Sequence, residues 1–415
     1  MSRLAILGGP KTVNIPRKHF VWPPISDETQ NAVLKQLEEG ISIYDRSGII
    51  ETLENRFAET LSRRHALLTS SGTAALYSAF VGAGLKEGDE VICPAYTFFA
   101  TVTPLFFLGA IPVLADSRDD GNIDPSDIER CITNKTKALV VTHMWGMPCD
   151  MDPICEIADR YDLILIEDAS HAYGAIYHGK RVGQFGDVAV FSLQAQKVVA
   201  AGEGGVLLTD SDDIFYRALL LGHYNQRCKK EIPSDHPLYE YATTGMGLKL
   251  RIHPLAAAIA NQQLDKIEQI LAGRRAVADK MHRLFGSLPP LTIPNPEDRV
   301  QPSWYAFVMQ YDASKLQGLP IEKFYNALKA EGCEELDRPN STCPLNYHPL
   351  FQHPEKLFPS YGSRVRYARG DFPICEKFHE RSLKLPVWNN PEDEEIMFLY
   401  FKAFQKVIEH YRDLL

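Results

Sequence analysis

The sequence of 415 residues has no dense run of lysine and arginine. Its net charge is −9 and its pI is about 5.8, so nucleic acid and anionic membranes are not expected partners. It also has no stretch of about 20 apolar residues, so we expect no membrane-spanning segment. The first ten residues are too short and too weakly apolar for a signal peptide, and we expect a cytoplasmic protein.

The cysteines form no Cys-x-x-Cys pair, so the sequence supports no zinc site or other metal site. Eight free thiols in a reducing compartment are the expectation. Hydrophobic residues make up 45% of the chain and charged residues 23%, as in soluble globular proteins. The length allows two domains.

Short apolar runs alternate with helix-like segments between residues 65 and 210. The runs predict strands at His65–Ser70, Glu90–Cys93, Ile111–Ala115, Lys137–His143, Leu163–Glu167, Val188–Ser192 and Gly205–Thr209. The intervening segments predict helices at Thr73–Gly84, Phe98–Leu108, Pro125–Cys131 and Pro153–Tyr161. This alternation is typical of an α/β protein with a mostly parallel sheet, whose chemistry lies at the carboxyl ends of the strands.

The second half of the chain predicts a smaller domain. Its expected elements are a helix over Pro254–Leu271 that continues through Leu284, a strand over Trp304–Tyr311, and helices over Ile321–Glu331 and Glu392–Tyr411. The stretch Arg338–Arg369 is rich in Pro, Asn and Tyr and predicts an irregular loop, either functional or part of the surface.

Lys197 is the first candidate for chemistry. It follows the apolar strand that ends at Ser192 and precedes the glycines of Gly202–Gly205. A half-buried lysine in this setting loses its proton readily and acts as an amine nucleophile. The alternative is a surface lysine whose stem covers apolar neighbours.

Two further motifs follow strand ends. Ser70–Leu76 predicts a turn and a helix N-terminus, which would bind a phosphate or simply be capped by Ser and Thr. Glu167, Asp168 and His171 follow a buried strand, where a carboxylate needs a partner such as a protonated ring nitrogen. The two acids point to opposite faces, so only one can face a site. Surface acids at a capped strand end are the alternative.

Two weaker motifs complete the set. Phe98 could stack on a planar ligand or pack in the core. The loop Gly247–Arg251 carries two cations that could meet a phosphate or a carboxylate, or lie in solvent. A phosphate turn, an aromatic ring, a strand-end acid and an amine on one α/β sheet together describe a pyridoxal phosphate site.

The chain resembles the DegT/DnrJ/EryC1/StrS sugar aminotransferases from about Pro23 to the C-terminus. The residues that carry the resemblance are Ser70–Leu76, Glu167–Ala175, Phe191–Gly205, Gly247–Arg251 and Gly370–Pro373. It implies the aspartate-aminotransferase-like fold type I, with a mainly parallel seven-stranded sheet and a smaller α+β C-terminal domain. We expect an N-terminal arm over residues 1–19, a large cofactor-binding domain over 20–265 and a small domain over 266–415.

The resemblance also implies a role for each candidate residue. Lys197 would be the catalytic amine, and Asp168 would hold a proton on the ring nitrogen of pyridoxal 5′-phosphate. The remaining cofactor contacts would come from Gly72, Thr73, Phe98, His171, Ser192 and, from the partner subunit of a homodimer with shared active sites, Lys249. Tyr44, Arg46 and Glu203 would contact substrate. Relatives with His at the position of Lys197 are dehydrases, so lysine favours transamination.

The implied reaction moves an amino group from L-glutamine or L-glutamate to a ketone. His143-Met144-Trp145-Gly146 resembles the His-Leu-Trp-Gly of cyclitol and aminohydroxybenzoate-type members, which favours a keto-cyclitol such as an inosose or a free keto-sugar. The alternatives are a nucleotide-linked ketosugar, an aminohydroxybenzoate-synthase-like lyase reaction, and a non-catalytic protein that keeps the fold. Intact Lys197 and Asp168 argue against the last.

Overall fold

A computed structural model describes residues 3–389 and 393–415. The strands in chain order are β1 His65–Thr69, β2 Glu90–Pro94, β3 Tyr96–Phe98, β4 Ile111–Ala115, β5 Thr136–Thr142, β6 Ile164–Asp168, β7 Ile176–Tyr177, β8 Lys180–Arg181, β9 Val188–Ser192, β10 Gly205–Thr209, β11 Leu291–Thr292, β12 Val300–Gln301, β13 Phe307–Tyr311, β14 Thr342–Pro344 and β15 Ser382–Leu385. The helices are α1 Asp27–Glu39, α2 Gly48–Thr60, α3 Gly72–Gly82, α4 Pro104–Leu108, α5 Pro125–Cys131, α6 Met151–Tyr161, α7 Asp212–Gly222, α8 Gln226–Glu231, α9 Pro254–Asp265, α10 Ile267–Phe285, α11 Ile321–Ala330, α12 Pro349–Gln352, α13 Pro373–Arg381 and α14 Glu394–Glu409.

A seven-stranded sheet organises the first part of the chain, in the order β1-β10-β9-β6-β5-β2-β4. β10 runs antiparallel to both of its neighbours, β1 and β9, and the remaining adjacent pairs in this sheet are parallel. Its strands are almost entirely buried because helices cover both faces, which explains their continuous apolar sequences. The prediction of a mainly parallel α/β sheet is confirmed.

A second apolar core surrounds the three-stranded sheet β11-β13-β15 and the helices α10, α11 and α14. Leu4 and Val13 also pack into this core, so the N-terminal segment lies against the C-terminal part of the chain. The predicted domain limits stay a prediction. The predicted start of the closing helix, at residue 392, lies outside the described residues.

Four predicted elements need correction. The helix predicted from Phe98 begins only at Pro104, because Phe98 belongs to β3 and pairs with Thr342 of β14. The pattern over 254–284 is two helices, α9 and α10, which meet at Lys266. The strand predicted from Trp304 begins at Phe307, since Trp304 has a left-handed backbone with φ of 54°.

The stretch 338–369, predicted as an irregular loop, is the fourth correction. It supplies β14, α12 and several short 3-10 helices. Tyr361 is buried, and its hydroxyl donates to the carbonyl of Ala110 at 2.6 Å. The segment therefore packs against the large sheet's core, and its apolar residues are too sparse to show a period in the sequence.

Candidate active site

A cavity of about 440 Å³ opens at the carboxyl ends of the parallel strands. Eight of the predicted site residues line it: Gly72, Thr73, Phe98, Asp168, His171, Ser192, Lys197 and Glu203. Parallel strands present their ends at one edge of a sheet, so residues far apart in sequence meet there. The structure thus brings together the turn, the acid and the amine that the sequence proposed separately.

The turn between β1 and α3 closes tightly on the end of β9. Ser71 caps α3, because its hydroxyl accepts the amide of Ala74 at 3.0 Å. A Cβ on Gly72 would lie 2.7 Å from the Cβ of Ser192, so only glycine allows this approach. The free amides of the α3 N-terminus and the Ser192 hydroxyl face the same cavity, which suits an anion.

Lys197 lies on a loop held by backbone hydrogen bonds. Its amide donates to the carbonyl of Gln194 at 2.8 Å, and its carbonyl accepts the indole N–H of Trp22 at 2.9 Å. Burial lowers the pKa of Lys197 to about 8, against the opposing effect of Asp168. About a tenth of such amines are neutral at pH 7, compared with less than a thousandth at the ordinary pKa. Lys197 is therefore prepared to act as a nucleophile.

The two acids at the end of β6 point in opposite directions, as expected. Asp168 faces the cavity, where its carboxylate accepts the hydroxyl of Thr101 at 2.7 Å and the amide of Ser170 at 3.2 Å. Glu167 faces away, fully buried, and accepts the amides of Phe185 and Gly186, each at 2.7 Å. Asp168 is therefore the acid available to a ligand.

His143 binds Glu167 on the side away from the cavity. Its Nδ1 accepts the amide of Cys149 at 3.0 Å, so its Nε2 carries the proton donated to Glu167 at 3.3 Å. Burial alone would raise the pKa of Glu167, but the bonds from His143 and backbone amides lower it. This pair is structural and fixes the end of β6.

Three flat rings form one wall of the cavity. His171 stacks on Tyr305, with ring centroids 4.2 Å apart, and on Trp145 at 5.6 Å. Burial and the nearby Lys197 and Lys384 keep the pKa of His171 well below its usual value, so the ring is neutral. Its buried Nδ1 has no hydrogen-bond partner within residues 3–389 and 393–415, which leaves it free for a ligand.

Several cavity residues were missed by sequence reasoning. Thr101, Tyr305 and Lys384 line the cavity, and so does Trp145, which the sequence linked only to the choice of acceptor. The Nζ of Lys197 lies 4.6 Å from the ring of Tyr305. Trp145 has a left-handed backbone, with φ of 56°, and is followed by Gly146, where a Cβ would meet Ser303 at 2.7 Å. Such strain is common at functional sites.

Tyr44, Arg46 and Lys249 lie outside this cavity. Arg46 donates to the buried carboxylate of Glu54 at 3.0 Å, which gives it a structural role. Tyr44 is exposed, and the guanidinium carbon of Arg251 lies 5.4 Å from the centre of its phenol ring. None of the three lines the cavity within one chain, so their predicted roles stay predictions.

The sequence model of the DegT/DnrJ/EryC1/StrS aminotransferase family matches residues 23–399. The chain belongs to this family. As a family member it is a pyridoxal phosphate-dependent aminotransferase of fold type I.

Two relatives of the DegT/DnrJ/EryC1/StrS family illustrate its range. An L-glutamine:2-deoxy-scyllo-inosose aminotransferase of Streptomyces kanamyceticus is 32% identical, over 99% of this chain and 97% of its own. A GDP-perosamine synthase of Caulobacter vibrioides is 35% identical, over 90% of this chain and 94% of its own.

Two solved structures share the fold. The aminotransferase from Psychrobacter cryohalolentis superposes with a TM-score of 0.81 at 24% identity, covering 94% of this chain and 99% of the other. DesV of S. venezuelae superposes with a TM-score of 0.75 at 27% identity, covering 92% and 94%.

The residues of the cavity fit the family's cofactor. A glycine cradle at a helix N-terminus suits its phosphate, and a buried carboxylate suits its protonated ring nitrogen. The orphaned Nδ1 of His171 offers a further polar contact. Neither a metal-binding cluster of side chains nor a helix able to cross a membrane is found within residues 3–389 and 393–415.

Proposed function

We propose that this aminotransferase moves an amino group from L-glutamine or L-glutamate to a keto-cyclitol of the inosose type or to a related free keto-sugar. The observation that carries the proposal is Lys197, an amine with a pKa of about 8 that faces Asp168 across one cavity. The likeness to an inosose aminotransferase and the His143–Gly146 motif favour a cyclitol. The likeness to the perosamine synthase keeps a nucleotide-linked ketosugar as the alternative.

We infer the roles of the cavity residues from their positions. Gly72, Thr73 and Ser192 would bind the phosphate, while Phe98 and His171 would contact the ring. When bound, the cofactor would supply an electron sink for the bond broken at the donor's Cα. Asp168, fixed by Thr101 and Ser170, would hold a proton on the ring nitrogen.

Lys197 would bind the cofactor through its amine and, once displaced by a donor, would carry a proton to and from the substrate carbon. Its lowered pKa suits this exchange, because a neutral amine can accept a proton near pH 7. Glu203 lies at the cavity rim and would contact substrate. An amino donor and a ketone acceptor use the same cavity in turn, so we expect ping-pong kinetics.

We further propose a homodimer with shared active sites. Five large apolar side chains are exposed in the two segments that carry the outlying site residues: Ile41, Tyr44, Tyr241, Met246 and Leu248. Exposed apolar residues in such numbers are typical of an interface. A partner there would bring its Lys249 and Tyr44 toward the cavity, while Arg46 stays paired with Glu54. The eight free cysteines favour a reducing compartment, as the cytoplasm is.

Visible absorption tests the proposed reaction. Purified wild-type protein with added pyridoxal phosphate should be yellow and lose this absorption when L-glutamine or L-glutamate is added. Lys197→Ala should remain colourless after dialysis, while the control Lys180→Ala, an exposed lysine beside Phe185, should match the wild type. Wild type that never takes up the cofactor would contradict the proposal.

The acceptor is tested with the amino-loaded enzyme. Keto-cyclitols, free keto-sugars and nucleotide-linked ketosugars are offered in turn, and recovery of the yellow form is recorded by stopped flow. Recovery with a keto-cyclitol or a free keto-sugar, and not with a nucleotide-linked sugar, is the expected result. Recovery only with nucleotide-linked sugars would favour the alternative acceptor, and water elimination without amine transfer would indicate the lyase reaction.

A further inference from the structure

A second amine lies in the cavity that holds Lys197. Lys384 of β15 lines the cavity, and its Nζ lies 5.6 Å from the ring of Trp145. Among the described residues that line this cavity, Lys197 and Lys384 are its two cationic side chains. Lys384 contributes, after burial, to the lowered pKa of both Lys197 and His171, so its charge acts directly on the reacting amine.

Lys384 is held in place by Asp337. The backbones of the two residues exchange hydrogen bonds of 2.8 and 2.9 Å, and the carboxylate of Asp337 lies 2.8 Å from Nζ. The Asp337 side chain is 47% exposed and that of Lys384 is 28% exposed. An ion pair open to solvent on this scale is weak, so an incoming carboxylate can share or replace Asp337.

A neutral ketone acceptor has no anionic group for the charge of Lys384 to bind. An amino-acid donor, in contrast, always presents a carboxylate two bonds from the amine that must reach Lys197's position. A lysine that lines the same cavity as the reacting amine can bind such a group as a point charge. The ring of Trp145, 5.6 Å from the Nζ of Lys384, stacks on His171 and gives this end of the cavity a flat wall.

We propose that Lys384 binds the α-carboxylate of the amino donor, with Asp337 orienting it when no donor is present. This inference rests on the proposed aminotransferase reaction and adds the group that recognises its donor. It makes Lys384 a specificity-determining residue that acts in the donor half-reaction.

Binding of glutarate, which has the two carboxylates of L-glutamate but no amine, tests the inference. Calorimetry on the cofactor-loaded enzyme should show that Lys384→Met weakens glutarate binding by about 10- to 100-fold, the range expected for a charge-assisted hydrogen bond. Lys384→Arg should retain binding within about fivefold, because it keeps the charge. The control Lys180→Met should bind as the wild type does.

Kinetics separate this inference from the proposed function. The L-glutamine concentration for half-maximal bleaching should rise in Lys384→Met, while the acceptor half-reaction keeps its wild-type KM. Three results would each overturn the inference. Lys384→Met could bind glutarate as the wild type does, it could change the acceptor KM alone, or glutarate binding could be lost in Lys249→Met and not in Lys384→Met. Failure of the wild type to bleach would contradict the aminotransferase reaction itself.

Discussion

Lys197 is a residue that folding makes less basic. Its pKa falls from 10.5 to about 8 because burial disfavours the charged amine. Between these two values the unfolded chain is still protonated while the folded chain is not, so stability rises with pH across this window. Below pH 8 the folded protein must keep a charged amine in its cavity, which costs stability.

Lys197→Met should therefore stabilise the cofactor-free protein at pH 7, and the gain should shrink toward pH 10. The full shift would give roughly 2–3 kcal/mol between these pH values, and the open side of the cavity reduces it to roughly 1–2 kcal/mol. Thermal unfolding of both proteins at pH 7 and pH 10 measures the difference. An equal gain at both pH values would show that the amine keeps its ordinary pKa in the folded protein.

At the scale of secondary-structure elements, the turn between β1 and α3 joins a strand end to a helix N-terminus and packs both against Ser192. Gly72→Ala should force these segments apart, since its Cβ would lie 2.7 Å from that of Ser192. We expect about 10- to 100-fold weaker binding of pyridoxal phosphate, together with a loss of roughly 1–3 kcal/mol in stability. Cofactor titration by fluorescence measures the first effect and thermal unfolding the second.

A comparison variant distinguishes shape from hydroxyl chemistry in this turn. Thr73→Ala removes a cavity-facing hydroxyl without adding an atom, so it should weaken cofactor binding less and leave stability almost unchanged. If Gly72→Ala bound the cofactor as tightly as the wild type, the close approach to Ser192 would have no part in phosphate binding.

Elements with a strong local signal could be predicted from the sequence. The strand Val188–Ser192 and the opposed faces of Glu167 and Asp168 follow from continuous apolar runs and from strand periodicity. The strand Thr342–Pro344 could not be predicted, because it is three residues long and exists through its pairing with Tyr96–Phe98.

The cavity residues also divide into those with a local sequence signal and those without one. Lys197 and Asp168 lie in motifs at strand ends, which the sequence shows directly. Thr101, Tyr305 and Lys384 have no local motif, since each reaches the cavity through contacts with residues tens to hundreds of positions away. Such contacts depend on the tertiary fold, which no window of sequence contains.

At the scale of the whole molecule, one predicted cofactor contact, Lys249, does not reach the cavity within a single chain. Lys249 is exposed, and its Nζ lies 5.9 Å from the ring of Tyr224, away from the cavity. If a second subunit completes the site, each cavity uses Lys197 from one chain and Lys249 from the other. Mixing two inactive variants can then restore activity, because a two-fold dimer has two independent sites.

Mixed dimers of Lys197→Ala and Lys249→Ala test this arrangement. In a hybrid, the site built on the Lys249→Ala chain has its own Lys197 and receives an intact Lys249 from the other chain. Half of a random mixture is hybrid and half of the hybrid sites are intact, so activity should recover to about a quarter of the wild type. Were Lys249 to act within its own chain, every hybrid site would lack one lysine and mixing would restore nothing, while sedimentation would still show whether a dimer forms.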